Sequence, residues 1–377
     1  TTNISYGQYP DGGGNWRFLP IPTPAADNNE GYIDEIEKVE FSSTRCFYTT
    51  PFHLTLACAT PGVNIYYTIN DGRSPIAGEV NTPYSIRYTA PIYMFGGKYI
   101  RAAAVKTGWK PSPTETNSYI FAASTAIKSM PVISLVGDVT NTFYEPNGVM
   151  AIVGGTYIGG SWYPSGQGSY NNPMQRGIAY ERPVSFEIIN PAADSNYQMD
   201  CGIRVHGSDY TRPRYRRADN WSCNATYKFS FNFFFRDSYG EDRFEYAFFP
   251  CTPEVQQYKS IVLRAGMNDN CTPFVKDEWM RRLHKEMGGV QETGTFANLY
   301  INNYPKSYFN PSGRADKHFY QEWYGTNNDF DIITHNGIRD GDSVAFDDLL
   351  NYINSHDLSN ADYYYYFDKR FDIPRFI

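Results

Sequence analysis

Between Tyr227 and Gly240 the chain reads YKFSFNFFFRDSYG, with Phe229, Phe231, Phe233 and Phe235 at every second position. A strand points alternate side chains to opposite faces, so these four rings share one face and require a deep core beneath it. Lys228, Ser230, Asn232 and Arg236 fall on the other face, with Phe234 the one exception. A lysine on the polar side of so buried a strand either holds a phosphate or is ordinary surface charge. Both readings stay open at this stage.

At 377 residues the chain has material for roughly two or three domains. Aromatic residues make up 17% of it, 33 of them Tyr, which suits β-structure and sugar- or protein-contacting surfaces. A net charge of −7 excludes nucleic acid as the main partner, because phosphate backbones need clustered basic charge. No run of about 18 apolar residues exists, so no membrane-spanning helix is expected. Thr1 opens without an initiator Met or a signal peptide, as in a processed or truncated chain.

Cys46, Cys58, Cys201, Cys223, Cys251 and Cys271 form no CxxC pair, which argues against zinc. Their even number fits disulfides, with Cys46–Cys58 and Cys201–Cys223 the nearest candidate pairs. Sequons at Asn3, Asn220, Asn224 and Asn270 are glycan acceptors if the protein is exported.

Residues 1–33 read as a glycine- and proline-rich tail or linker. The YPDG turn, Trp16 and PTPAADN resemble the closing segment of a lamin-tail-like domain. Residues 34–122 alternate short apolar runs with ATPG, NDGRSP, FGG and TGWKPSP turns, the spacing of an all-β, Ig-like sandwich. CATPGVNIYYTINDGRSP and TAPIYMFGGKYIRAAAVKTGWKPS resemble the small sandwich appended to chitobiase and β-hexosaminidase enzymes. On that sandwich Tyr66, Tyr67 and Trp109 are either a sugar platform or core.

From Pro131 the texture changes. The buried strand MPVISLVGD is followed by a Gly/Asn/Tyr-rich loop from Thr140 to Tyr180, long enough to be interaction-bearing. Further extended stretches lead to a helix, DEWMRRLHKEMGG, with Trp279, Met280, Leu283 and Met287 on one face and Gly288 as its stop. A hairpin around Asn302-Asn303 precedes a second helix, SVAFDDLLNYINSH, in which Phe346, Leu349, Leu350 and Ile353 keep helical period.

PVISLVGD, NNPMQRGIAYERPVSFE, CGIRVHGS, SIVLRAGMND, VKDEWMRRLHKEMGG and LYINNYPKSYFNPSGRADKHFYQEWYG resemble, in order, the CotH kinase family of atypical kinases. The resemblance implies an α+β kinase-like region over 131–377 in a multidomain exported protein, extracellular or on the cell surface. It also implies ATP and magnesium as cofactors and Ser/Thr of other exported proteins as substrates. Lys228 then stands as the lysine on the nucleotide phosphates, Gly207 as the glycine that lets backbone approach them, and Arg204 and Arg264 as further phosphate contacts. Asp277 or Glu278 would pair with the lysine.

Two departures stand against catalysis. Gly313 occupies the place of the family's glutamate. The positioning Asp, the Asn and the metal-binding Asp that phosphoryl transfer needs would follow RFDIPRFI, so the catalytic part is expected to be lacking. Asp340 and Asp342 flank Gly341 before a helix, where capping competes with a calcium site. His206 beside Gly207 touches either phosphate or solvent. The rival to a kinase is a non-catalytic adhesion, matrix or filament subunit that self-assembles or binds surface proteins or glycans on a kinase-like scaffold.

Overall fold

The computed structural model describes residues 4–78, 80–121, 123–191, 196–216, 228–267, 269, 273–334 and 337–373. Cys223, Cys271, His335 and the sequon residues Asn3, Asn220, Asn224 and Asn270 lie outside them. The described residues are predominantly β, with short helices toward the C-terminal end.

The expected tail is instead a hairpin, Ser5–Gln8 paired with Trp16–Leu19. Gly12 and Gly14 hold φ of 72° and 78° in its turn, which only glycine adopts without steric cost. Tyr6 stacks on Trp16 at 5.2 Å, and Ile33 N and Ile36 N donate to Gly108 O and Lys110 O of the next unit.

That unit is a β-sandwich. One sheet runs Ile86–Arg87, Asn64–Ile69, Lys98–Val105, Glu115–Phe121, Cys46–Tyr48, and the pairs Phe52–Leu54 with Ile92–Met94 and Glu40–Phe41 with Leu56–Ala57 lie apart from it. Ile36, Leu54, Met94, Ile100, Ala102 and Tyr119 fill its core, against which Tyr67 and Trp109 are half-buried. Those two rings serve packing. The expected Cys46–Cys58 bridge does not form, because Cys58 Sγ instead donates to Glu37 O at 3.1 Å. Cys201, buried in the barrel core, and Cys251 likewise form no disulfide among the described residues.

The larger unit is built on a closed seven-stranded barrel, with the helices of the region lying between its strands or after them in sequence. Its strands are β1 (Val132–Val136), β2 (Arg182–Ile189), β3 (Tyr197–His206), β4 (Ser230–Phe234), β5 (Ser260–Arg264), β6 (Ala297–Ile301) and β7 (Tyr304–Gly313). They pair in the order β1-β2-β3-β4-β5-β7-β6, and β6 closes the barrel by running parallel to β1. Phe229, Phe231, Phe233 and Phe235 all enter the core, where Phe186 meets Phe233 edge-on at 5.0 Å. Closure removes the sheet edges, and the alternation of β4 then sends Ser230 and Asn232 outward.

The stretch Thr140–Tyr180 is structured. Phe143, Val149, Met150 and Trp162 pack into the barrel core. Thr156–Ile158 and Ser161–Tyr163 form a hairpin whose turn residues Gly159 and Gly160 both take positive φ, 56° and 83°.

Helix α1 (Lys276–Glu286) buries Glu278 and Arg281, while Trp279, Met280, Leu283 and Met287 face solvent. The polar face wins because Glu278 accepts from Arg281 at 2.6 Å, Arg282 at 2.7 Å and Gly294 N at 3.0 Å, which offsets its desolvation. Helix α2 is Lys317–Tyr324; α3 (Val344–Ser355) and α4 (Ala361–Asp368) bury no residue.

Sandwich and barrel meet on charge. Glu187 of β2, fully buried, accepts from Arg45 Nε and Ser118 N, both at 3.0 Å, and Ser118 Oγ lies 2.9 Å from Ser134 Oγ of β1. Beside this junction burial pushes the Asp200 carboxyl up to about 6 from an ordinary 3.8, with Arg101 opposing the rise. A raised carboxyl pKa means that folding favours the protonated form. The penalty is present in full above about pH 6 and is relieved as pH falls toward 4. Asp200 keeps part of its surface open, which discounts the effect to about 2 kcal/mol. Asp200→Asn is therefore expected to be more stable than wild type by about 2 kcal/mol at pH 7.5 and by much less at pH 4.5 in urea denaturation. A gap that stays constant with pH would refute this assignment.

Candidate functional site

A cavity of about 670 Å³ opens on the outer face of the barrel over β3, β4, β5 and the end of β7. Strand alternation supplies its floor: Arg204 and His206 from β3, Ser230 and Asn232 from β4, and Arg264 from β5. Arg314 follows β7 directly, Arg176 and Arg212 come from loops, and Arg339 stands on the hairpin Ile332–Thr334/Gly337–Asp340. Among the described lining residues six arginines face two aspartates, Asp269 and Asp277, while from outside the lining Asp209 pairs with Arg176 at 2.6 Å and Glu181 stands 3.8 Å from Arg204.

Each arginine is held differently. Arg212 gives its guanidinium to four backbone carbonyls, those of Gly207, Pro173, Gln175 and Val205, at 2.6–3.0 Å. Burial lowers its pKa to about 10, and its task is to fix the loop after β3. Arg264 Nε lies 2.7 Å from Asp277 Oδ2 on α1, an ion pair that ties strand to helix across the cavity wall. Arg204 stands 3.8 Å from Glu181, and its Nε has no hydrogen-bond partner among the described residues. Arg204 and Arg314 lie 4.8 Å and 5.5 Å from the Phe234 ring, so the residue that broke the strand's polar pattern is a platform for guanidinium groups. Burial depresses the pKa of both arginines, with Arg339 adding to the effect at Arg314. His206 Nδ1 sits 3.0 Å from Asn232 Oδ1.

The sequence-derived candidates divide. Arg204, Gly207, Asp277, Arg264 and His206 all line the cavity. Lys228 is not among its lining residues. It is almost fully buried, its Nζ donates to Tyr308 O at 2.6 Å, and the rings of Phe274, Tyr308 and Phe309 surround the ammonium at 4.6–4.7 Å. Glu278 faces the loop at Gly294 and Asn310 of β7, so the carboxylate next to the cavity is Asp277. A Cβ on Gly313 would stand 3.0 Å from the Tyr258 ring and 3.4 Å from Phe319, which leaves no room there for a carboxylate side chain.

Asp340 Oδ2 accepts from Lys317 N and Asp342 Oδ1 from Val344 N, so both are occupied in capping. No group of three His, Cys, Asp or Glu side chains placed to hold a metal ion occurs among the described residues. No role was assigned from sequence to Arg176, Arg212 or Arg339. The run TRPRYRR was the available signal, but a basic run reads equally as a solvated face.

Fixed guanidinium groups with donors left over bind polyanions, and phosphate groups above all, through paired charge-assisted hydrogen bonds. No curated protein matches the chain. Residues 45–116 match the chitobiase/beta-hexosaminidase C-terminal domain, so the sandwich is similar to that domain.

Proposed function

We propose that the arginine-lined cavity binds the polyphosphate of a nucleotide, and that the barrel with α1 is the nucleotide-binding lobe of an exported CotH-kinase-like protein. The observation that carries this is the Arg264–Asp277 pair, which joins a strand end to a helix beside the Gly207 turn. Arg204 and Arg314 add phosphate donors, and a lining with more guanidinium groups than carboxylates suits the anionic phosphates of ATP. The acceptors of phosphate are Ser/Thr of other exported proteins.

The cavity residues fit phosphate groups; they do not by themselves fit magnesium, because of its two carboxylates Asp277 is engaged by Arg264. In this reading the described lining supplies phosphate binding.

Calorimetry with ATP tests this. Arg264→Ala is expected to weaken binding by about 10- to 100-fold, the worth of one charge-assisted contact with phosphate. Lys228→Met, which keeps the volume of the buried stem, is expected to leave affinity within about twofold, because Lys228 is not among the described lining residues and its ammonium is turned to Tyr308 O. Equal binding by Arg264→Ala and wild type would overturn the proposal.

A second reading is favoured by the exposed faces of α1, α3 and α4, where Trp279, Met287, Phe346 and Tyr365 lie open. A non-catalytic surface or filament subunit would use them to meet partners. It would show assembly without nucleotide binding.

A further inference from the structure

The cavity wall includes one imidazole, that of His206. His206 projects from the outer face of β3, half-buried, with Nδ1 against Asn232 Oδ1. An amide oxygen only accepts, so Nδ1 carries the proton and Nε2 keeps its lone pair.

The groups around it are almost all cationic or neutral. Arg204 shares its strand and Arg212 stands on the following loop. Ser230 and Asn232 of β4 are neutral, Arg264 closes β5, and Arg314 follows β7. Arg176 and Arg339 lie further along the rim, and the carboxylates nearby are each opposite a cation: Asp277 with Arg264, Asp209 with Arg176, Asp269 with Lys276, and Glu181 of the loop before β2 with Arg204 and Arg236. Burial first, then Arg264, Arg212 and Arg314, holds the imidazole down to about 3, so it is neutral in the empty cavity at any ordinary pH. The charges that prepare this cavity for an anion are the ones that keep its histidine unprotonated.

A dianion docked among those arginines offsets their field and brings acceptor oxygens to the ring, and both effects favour the imidazolium. We propose that His206 takes up a proton when a phosphate or sulfate group binds between Arg204, Arg264 and Arg314, so that anion binding in this cavity is proton-coupled. The inference rests on the cavity being a phosphate site. Its sign follows from linkage: the complex binds more protons than the free protein, so affinity rises as pH falls. The rise approaches about tenfold per pH unit below the His206 pKa of the complex and above that of the free protein.

Inorganic sulfate is the probe, since it stays dianionic from pH 5 to 8.5 and contributes no proton of its own. Calorimetric titration of the full chain in two buffers of different ionisation enthalpy counts the protons taken up. Net proton uptake on sulfate binding at pH 5.5 is expected, together with affinity that increases from pH 8.5 to pH 5.5. His206→Gln is expected to abolish the uptake and flatten the pH dependence. The wild-type imidazole resonance of His206, followed by NMR with and without sulfate, gives the same answer without a variant: its titration midpoint moves up when sulfate is bound. Sulfate binding without proton uptake, uptake retained in His206→Gln, or an unmoved midpoint overturns this inference alone. Absence of both sulfate and ATP binding overturns it together with the nucleotide reading.

Discussion

Phe233→Ala is expected to destabilise the barrel by about 3–5 kcal/mol, a large share of the stability of a domain this size. The ring is fully buried, lies between Ile203 and Ile261 on the neighbouring strands, and meets Phe186 edge-on. Truncation removes apolar contacts and leaves a void that a closed barrel cannot collapse, because all its strands are tied on both sides. Phe233→Leu, which refills most of the space, is expected to cost about half as much or less. Urea denaturation followed by aromatic fluorescence measures both. A loss below about 1 kcal/mol for the alanine variant would mean that Phe233 is not held as described.

The second large effect is at the junction of the two units. Glu187→Ala is expected to cost about 3–5 kcal/mol, because it leaves Arg45 Nε and the Ser118 N–H without their acceptor and removes the counter-charge of a guanidinium whose remaining contact is Thr116 O. The loss is not the worth of a salt bridge. It is the cost of an uncompensated charge, so the double substitution Arg45→Met/Glu187→Leu is expected to recover most of it. The single variant should also loosen the sandwich from the barrel, read as faster proteolytic cleavage between residues 122 and 131. If the double substitution is as unstable as the single one, the charge explanation fails.

These two sites also show what a sequence can disclose. Phe233 was legible because the side-chain period of a strand is set by its own backbone. Every second residue shares a face whatever the sheet later does, and the apolar face must go inside. Glu187 was not legible. It sits within the apolar run PVSFEII, and its partners Arg45 and Ser118 lie 142 and 69 positions away. The same limit governed α1. Periodicity put Trp279, Met280, Leu283 and Met287 on one face, yet the anchoring of Glu278 by Arg281, Arg282 and Gly294 turned the opposite face inward.

The alternation between Tyr227 and Gly240 therefore fixed, from sequence alone, a phenylalanine core with a polar outer face. The turn chemistry of residues 34–122 likewise fixed a sandwich, and residues 45–116 match a known sandwich module. Which polar residues form a site was decided only by the closed barrel. Curvature and pairing bring Arg204, Arg264 and Arg314 together from strands far apart in the chain, while Lys228, on the same polar side, is drawn to the carbonyl of Tyr308. The face of a side chain is a local property of the backbone, but its neighbours depend on strand order and closure, which no single strand encodes.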